Sequence, residues 1–233
     1  MRHSNIMKLL FLSNTRVNTN SEVIGLLKSW INDNSKIGYI PSSSDPTRKY
    51  FKEADGWLRE ILEKDVGIDY LEIHDGKKWE YESVSDYECF FISGGNTYHL
   101  LDGLRRSGVG AIIERVAKET DRGIIGVSAG GIVLTPDIRS AIAENDLGIT
   151  SHGGLGLVNF GFYPHFKKED KTHIREIDSF FDKTNIDKTY ALPEYSGLVY
   201  INGLLQPLGE VFVVHRQKRE IEKLSNTTKY EGA

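Results

Sequence analysis

The sequence predicts an α/β fold with three layers, in which helices cover both faces of a mostly parallel sheet and antiparallel strands form its C-terminal edge. Short apolar runs alternate with longer segments whose apolar residues recur at helical spacing. The last third of the chain instead carries short apolar runs separated by turn residues. Strands separated by helices pair in parallel through right-handed crossovers, so the helices cover both faces of the sheet.

The first part of the chain supplies the parallel strands and their helices. Apolar runs predict strands over residues 7–12, 37–40, 68–73, 89–92 and 123–127. Helical spacing predicts helices over 21–31, 48–62, 97–106, 109–120 and from Ile132 onward. The order of these segments is that of successive strand–helix–strand units.

The C-terminal part predicts the antiparallel edge. Strands are expected over 190–192, 198–202 and 211–215, and the pair Asn202-Gly203 is a strong hairpin signal. We assign these strands to the edge of the same sheet. The apolar run 155–162 predicts one more strand. Because no linker, repeat or low-complexity tract divides the sequence, residues 1–233 are interpreted as a single domain.

Composition excludes several classes of function. The 233 residues are 39% hydrophobic and 27% charged with a net charge of -4, which argues against disorder and against a basic nucleic-acid surface. A single cysteine, Cys89, cannot form an internal disulfide or a cysteine metal site, and we expect it to be a core thiol. No apolar segment is long enough for a membrane span, and 9–12 is too short for a signal peptide. We therefore predict a cytoplasmic protein without membrane or nucleic-acid partners.

The segment 126–130, Gly-Val-Ser-Ala-Gly, joins a predicted strand to a predicted helix and fits the G-x-S-x-G pattern of a nucleophile elbow. A serine in such a turn has a strained backbone, which small neighbours can accommodate. Its hydroxyl then projects at the carboxyl end of the sheet, where ligands bind in open α/β folds. Ser128 is therefore the candidate nucleophile, although a glycine-rich turn with an incidental serine has the same pattern.

A second glycine-rich turn, Gly94-Gly95-Asn96, also follows a buried strand. It can place a backbone N–H beside Ser128 and complete an oxyanion hole with the N–H of Ala129. Alternatively, it is a simple turn into a helix capped by Asn96 or Thr97. The residues alone do not decide between these interpretations.

The nucleophile needs a base and an acid that orients the base. Among the seven histidines, His165 follows an apolar run and His215 ends one, so both are placed at strand ends. Two triads fit: Ser128 with His165 and Glu194, or Ser128 with Asp187 and His215 in the chain order of α/β-hydrolases. The residue pattern favours neither.

Four motifs in order resemble the peptidase E family, the aspartyl dipeptidases and relatives such as the cyanophycinases. They are Ser-Gly-Gly-Asn-Thr at 93–97, Gly-Val-Ser-Ala-Gly at 126–130, Pro-His-Phe at 164–166 and Leu-Pro-Glu at 192–194. The resemblance extends from the first strand to about Val214. It implies a fold similar to class I glutamine amidotransferases, with serine in place of their cysteine nucleophile, and it implies no cofactor.

The resemblance also implies roles for individual residues. It makes Ser128 the nucleophile, His165 the base and Glu194 the third member, with Asp146 as a lower-ranked alternative to Glu194. It also implies an oxyanion hole from the backbone N–H groups of Gly95, with Gly94 as an alternative, and Ala129.

The chain departs from the family at the substrate-binding arginine that follows the histidine motif. Asp170 stands where that arginine is expected, and Asn96 and Asp170 are the predicted substrate-binding residues. The resemblance thus implies a dipeptidase or aminopeptidase that acts on short peptides. The departure at Asp170 predicts weak or absent selectivity for an N-terminal aspartate, unless a neighbouring basic residue reaches the pocket and restores it: Lys167, Lys168, Lys171 or Arg175. The alternatives are an esterase or amidase for another substrate class, and a binding protein that keeps the fold without turnover.

Overall fold

The computed structural model describes residues 6–15, 21–225 and 230–231. The strands are β1 (Lys8–Leu12), β2 (Lys36–Ile40), β3 (Gly67–Tyr70), β4 (Tyr87–Ile92), β5 (Gly123–Val127), β6 (Gly161–Tyr163), β7 (Lys188–Ala191), β8 (Gly197–Ile201), β9 (Leu204–Leu208), β10 (Phe212–His215), β11 (Ile221–Lys223) and β12 (Tyr230–Glu231). The helices are α1 (Ser21–Trp30), α2 (Lys49–Leu62), α3 (Thr97–Ser107), α4 (Val109–Glu119), α5 (Ala129–Leu134) and α6 (Lys171–Lys183), with a short 3₁₀ helix at Tyr81–Val84.

The larger sheet has the strand order β12-β9-β8-β1-β5-β4-β2-β3 within the described residues. The five strands from β1 to β3 in that order are parallel. β8 pairs with β1 in the antiparallel direction, and β9 and β12 continue the antiparallel edge. The prediction of a mostly parallel sheet with an antiparallel C-terminal edge is therefore confirmed.

Alternation of side chains along the buried strands produces the three layers. In β1, Leu9 and Phe11 belong to the core beneath α3, α4 and α5, whereas Leu10 and Leu12 belong to the core beneath α1 and α2. β4 and β5 alternate in the same way, since successive strand residues point to opposite faces. Cys89 lies in the core beneath α1 and α2, and burial raises the pKa of its thiol to about 12, as expected for an inert core cysteine.

The assignment of all C-terminal strands to one sheet is wrong. Among the described residues, β7 and β10 belong to a second sheet of order β11-β10-β7-β6. This sheet packs with α6 around its own core, which contains Phe166, Phe180 and Phe212. Period-two apolar patterns identify strands but not their partners, because pairing is decided by packing between distant segments.

Two other expectations also need correction. The helix after Ser128 begins at Ala129, not at Ile132, because the glycines of its first turn allow it to start directly at the strand end. In the run 155–162, only residues 161 and 162 pair in a strand, as part of β6. Residues 155–160 are irregular backbone, and their apolar side chains lie in the core.

The Asn202-Gly203 hairpin is confirmed: both residues have positive φ angles, 47° and 88°. None of the helices in the described residues is both long and apolar enough to cross a membrane.

Close backbone contacts explain why residue 126 is a glycine, which its position in a strand does not indicate. A Cβ there would lie 2.6 Å from the carbonyl oxygen of Gly130 and 2.7 Å from the nitrogen of Gly131. We expect Gly126→Ala to lower the free energy of unfolding by about 1–3 kcal/mol, because backbone atoms must move to admit the methyl group. The measurement is urea unfolding followed by circular dichroism.

Gly56→Ala is the matched control. Gly56 lies in α2, and a Cβ there meets nothing within 4 Å. The same substitution should raise the free energy of unfolding by roughly 0.5–1 kcal/mol, since alanine restricts the unfolded chain and favours helix. Equal stability of Gly126→Ala and the wild type would contradict the close approach at the turn.

Candidate active site

Ser128 lies between β5 and α5 with φ 50° and ψ -110°. Its N–H donates to the carbonyl oxygen of Leu12 at 2.9 Å, which extends the β1–β5 pairing to the serine. Its carbonyl oxygen accepts from the N–H groups of Gly131 and Ile132 at 2.9 and 3.0 Å, so the first turn of α5 forms directly on it. A non-glycine residue in such a conformation costs about 1–3 kcal/mol and persists only where its surroundings hold it.

Close packing around the turn holds that conformation. A Cβ at Gly130 would overlap the carbonyl oxygen of Ile92 at the end of β4, and a Cβ at Gly131 would lie 2.9 Å from an edge carbon (Cδ1) of the Phe162 ring. Small residues around the serine therefore let α5 approach both β4 and β6. The strand–turn–helix arrangement expected from the 126–130 motif is the one observed.

His165 follows β6 and also has a positive φ, 57°. Its Nε2 lies 3.0 Å from the hydroxyl oxygen of Ser128. The backbone N–H of His165 donates to the hydroxyl of Ser13 at 2.9 Å, and that hydroxyl donates to the carbonyl oxygen of Leu192 at 3.2 Å. Ser13 is fully buried at the end of β1, so the backbone of His165 is attached to both sheets.

Glu194 follows β7 and faces the other nitrogen of the same ring. Its Oε1 lies 2.7 Å from Nδ1 of His165, and its Oε2 accepts a hydrogen bond from the side-chain amide of Asn14. An ionised carboxylate can only accept, so Nδ1 is the donor and, in the neutral ring, Nε2 is free to accept the serine hydroxyl hydrogen. The hydroxyl of Ser128, the imidazole of His165 and the carboxylate of Glu194 therefore form one continuous series of hydrogen-bonded groups.

The alternative acids and bases lie elsewhere. Asp146 is 2.8 Å from Nε2 of His99 through one carboxylate oxygen and 3.0 Å through the other. His215 is 3.9 Å from Glu222, and neither His215 nor Asp187 lines the cavities at Ser128. The structure thus brings together Ser128, His165 and Glu194, and not the series with Asp187 and His215.

Two polar residues of the site escaped the sequence analysis. Ser13 and Asn14 lie at the carboxyl end of β1, where they contact His165 and Glu194. Their signal was the polar segment after the first strand, since the carboxyl ends of parallel strands meet at the ligand-binding edge of a sheet. The strand was identified from the sequence, but the loop was not connected to the catalytic motifs.

The predicted oxyanion residues border the serine. Gly94 lies so close that a Cβ on it would be 3.4 Å from Cβ of Ser128. Gly95 has φ 139°, and a Cβ there would lie 2.9 Å from Cβ of Ser42. Ala129 is the first residue of α5, where a backbone N–H has no partner within the helix. Gly94 and Gly95, which follow β4, and Ala129, which follows β5, therefore lie beside Ser128 at the same edge of the sheet.

The predicted substrate-binding residues both cap helices. The side-chain oxygen of Asn96 accepts from the N–H groups of Tyr98 and His99 at the start of α3, and its amide donates to the carbonyl oxygen of Glu144 at 2.9 Å. Asn96 also lines the larger cavity at Ser128. Asp170 caps α6 by accepting from the N–H of Thr172 at 2.9 Å and lines neither cavity at the serine, so its influence on specificity stays a prediction.

Two cavities meet at Ser128. The larger has a volume of about 510 Å³ and the smaller about 50 Å³, and Ser128, His165 and Gly95 line both. Aromatic side chains form much of the larger wall, and burial raises the pKa of Tyr39 to about 12, so its hydroxyl stays protonated at neutral pH. Glu53 is the one carboxylate among the described residues of this wall, which include no lysine or arginine.

A metal ion has no evident site in residues 6–15 and 21–225, where no group of three histidine, cysteine, aspartate or glutamate side chains is placed to hold one. The side chains of His165 and Glu194 are 39% and 40% exposed, so water and small molecules reach the series from solvent. The chemistry that the arrangement supports is transfer of a proton from Ser128 to His165.

The sheet, its flanking helices and the serine between β5 and α5 define an α/β protein with the class I glutamine amidotransferase-like fold. A peptidase from an acI-B1 Actinobacterium has a similar structure, with a TM-score of 0.71 and 18% sequence identity over 98% of each chain. The model of peptidase family S51 matches residues 9–207, and the chain belongs to that family.

Two relatives carry the name Peptidase E. The protein of Streptomyces coelicolor is 27% identical over 172 residues, which are 70% of this chain and 66% of that protein. The protein of Nostoc sp. is 29% identical over 137 residues, which are 56% of this chain and 52% of that protein. The similarity therefore spans between about half and two thirds of the length of these relatives.

We expect Ser128 to react covalently with a fluorophosphonate, because a hydroxyl bonded to an imidazole acceptor is a far stronger nucleophile than an isolated serine. Intact-mass measurement and peptide mapping should find a single label on Ser128 and none on Ser128→Ala. Ser13 is the internal control, since its buried hydroxyl already donates to Leu192. A label on another serine, or no label, would contradict the interpretation of the site.

Proposed function

We propose that this chain is a serine peptidase that cleaves short peptides, with Ser128 as nucleophile, His165 as general base and Glu194 as the residue that orients the imidazole. The observation that carries the proposal is the series of contacts at 3.0 Å and 2.7 Å through the two nitrogens of His165. Membership of peptidase family S51 supports peptide bonds as the substrate class.

The proposed reaction uses each group in turn. His165 takes the hydroxyl proton as Ser128 attacks the carbonyl carbon, and the charge that develops on the carbonyl oxygen is stabilised by the N–H groups of Gly95, with Gly94, and Ala129. The protonated imidazole, held by Glu194, then gives its proton to the departing amine. Water hydrolyses the acyl-enzyme by the same route in reverse.

The lining of the larger cavity supports the proposal that an acidic side chain of the substrate binds poorly there. An aspartate side chain bound there needs a fixed cation, for which arginine is suited through two parallel hydrogen bonds. The described residues of the wall offer the carboxylate of Glu53 instead, which repels a second carboxylate. The aromatic rings of Tyr39, Tyr50 and Phe91 suit apolar or cationic groups. We therefore propose that neutral and basic N-terminal residues are accepted.

The triad is tested by replacing its members and, for comparison, the residue that was the alternative base. Ser128→Ala and His165→Ala should each lower turnover of a dipeptide by roughly three or more orders of magnitude, and the double variant should lose little more, because the two act as one unit. His215→Ala should have a small effect, since it lies in the second sheet beside Glu222.

The acid is tested in the same assay. Glu194→Ala should lower kcat by about two to four orders of magnitude, because the imidazole loses its orienting partner. Asp146→Ala, which removes a carboxylate bonded to His99, is the matched control and should stay within about tenfold of the wild type. A larger loss for Asp146→Ala than for Glu194→Ala would assign the acid to Asp146. Full activity of properly folded Ser128→Ala would end the serine peptidase proposal.

Specificity is tested with Asp-Leu, Ala-Leu and Lys-Leu. We expect kcat/KM for Asp-Leu to be no higher than for the other two, because the described wall of the larger cavity carries no cation. Glu53→Gln should raise the ratio of kcat/KM for Asp-Leu to kcat/KM for Lys-Leu by about threefold to tenfold, as expected when one exposed charge beside the cavity is removed. A preference of the wild type for Asp-Leu above roughly a hundredfold would require a dedicated cation and contradict the proposal.

A further inference from the structure

The carboxylate of Glu194 contacts a different side chain with each of its two oxygens. Oε1 lies 2.7 Å from Nδ1 of His165, and Oε2 accepts a hydrogen bond from the side-chain amide of Asn14. The first contact belongs to the proposed triad. The second comes from the residue after Ser13 at the end of β1, 180 residues away along the chain. The proposed proton transfer does not use this second contact.

Backbone contacts join the segments that carry Asn14 and Glu194. Asn14 follows Ser13, whose N–H donates to the carbonyl oxygen of Ser196 at 3.1 Å. The hydroxyl of Ser196 donates to the carbonyl oxygen of Pro193 at 2.6 Å, which closes the loop around Glu194. The attachment of this loop to β1 therefore does not need the side chain of Asn14. Replacing Asn14 removes a contact to the carboxylate and keeps the backbone contacts of the loop.

The end of the Glu194 side chain is less constrained than its backbone. The side chain is 40% exposed and has several rotatable bonds, so water competes for its oxygens. A single contact with His165 leaves the carboxylate free to turn about its last bond. A second hydrogen bond fixes the plane of the carboxylate, and hydrogen bonds to an ionised acceptor are stronger than those between neutral groups. The amide of Asn14 thus holds Oε1 of Glu194 toward the imidazole.

We propose that Asn14 is a positioning residue of the active site, which acts on His165 only through Glu194. The inference rests on the triad proposed above, because the orientation of Glu194 matters only if this carboxylate orients the base. Asn14 also lines the larger cavity, so direct contact with a substrate is the competing role. The two roles differ in what happens when the carboxylate of Glu194 is removed.

The first test measures how fast a fluorophosphonate labels Ser128, which reports the reactivity of the hydroxyl without any peptide. Asn14→Leu should slow labelling by about fivefold to fiftyfold, the loss expected for one partly exposed hydrogen bond to a charged group. Asn14→Asp should also slow it, because the added carboxylate repels Glu194. Asn202→Asp is the matched control. It adds the same charge before the other end of β1, where Asn202 accepts from the N–H of Met7 at 2.8 Å, and should label at the wild-type rate.

The deciding test repeats Asn14→Leu in the Glu194→Ala background. There the substitution should change the labelling rate by less than about twofold, because a residue that acts only through Glu194 has no effect once that carboxylate is absent. With a dipeptide that the wild type hydrolyses, Asn14→Leu alone should lower kcat and leave KM within about twofold. Thermal melting checks that each variant is folded, and Asn14→Ala replaces Asn14→Leu if the leucine variant is not.

The outcomes separate the two proposals. If Ser128 is not labelled, or if Glu194→Ala labels as fast as the wild type, the proposed triad fails and the inference fails with it. If Glu194→Ala is slow but Asn14→Leu labels at the wild-type rate, the inference is overturned and the triad stands. If Asn14→Leu slows labelling equally with and without Glu194, or mainly raises KM, Asn14 acts on another group and the inference again fails alone.

Discussion

The hydroxyl of Ser13 is the contact on which the arrangement of the site depends. It accepts the N–H of His165 and donates to the carbonyl oxygen of Leu192, and the N–H of Ser13 donates to the carbonyl oxygen of Ser196. One buried residue at the end of β1 thus fixes the loops that carry His165 and Glu194. Without it, the left-handed turn at His165 loses the hydrogen bond that joins its backbone to the end of β1.

Strained backbone occurs at both Ser128 and His165. Ser128 and His165 each have positive φ, and each is held by hydrogen bonds to the end of β1, through Leu12 and Ser13 respectively. Such conformations cost about 1–3 kcal/mol each and persist because the surroundings determine them. With these backbone conformations, the hydroxyl of Ser128 and Nε2 of His165 lie 3.0 Å apart.

Much of this organisation follows from local sequence. The strand before Ser128 and the glycines after it predict the turn. Apolar periodicity predicts the ends of the parallel strands β1 to β5 within two residues, except that β3 ends at Tyr70 and not at residue 73. The pattern did not predict which strands pair with one another. Tyr190 and Val213 have the same period-two signal as Leu198 and belong to the same core, yet β7 and β10 pair in a different sheet from β8. The alternate residues Ala191, Phe212 and Val214 pack with α6 in a separate core, which the pattern does not reveal. Residues alone likewise did not choose between His165 and His215, since both end a strand.

The division between two cores determines when Ser128, His165 and Glu194 can first come together during synthesis. Ser128 and its elbow belong to the larger sheet and leave the ribosome first, whereas His165 and Glu194 follow strands of the smaller sheet, whose core is closed by Phe212. Synthesis proceeds from the N-terminus, and cores form as their segments become available. The nascent chain therefore cannot complete the core that positions His165 and Glu194 beside Ser128 until Phe212 has been translated.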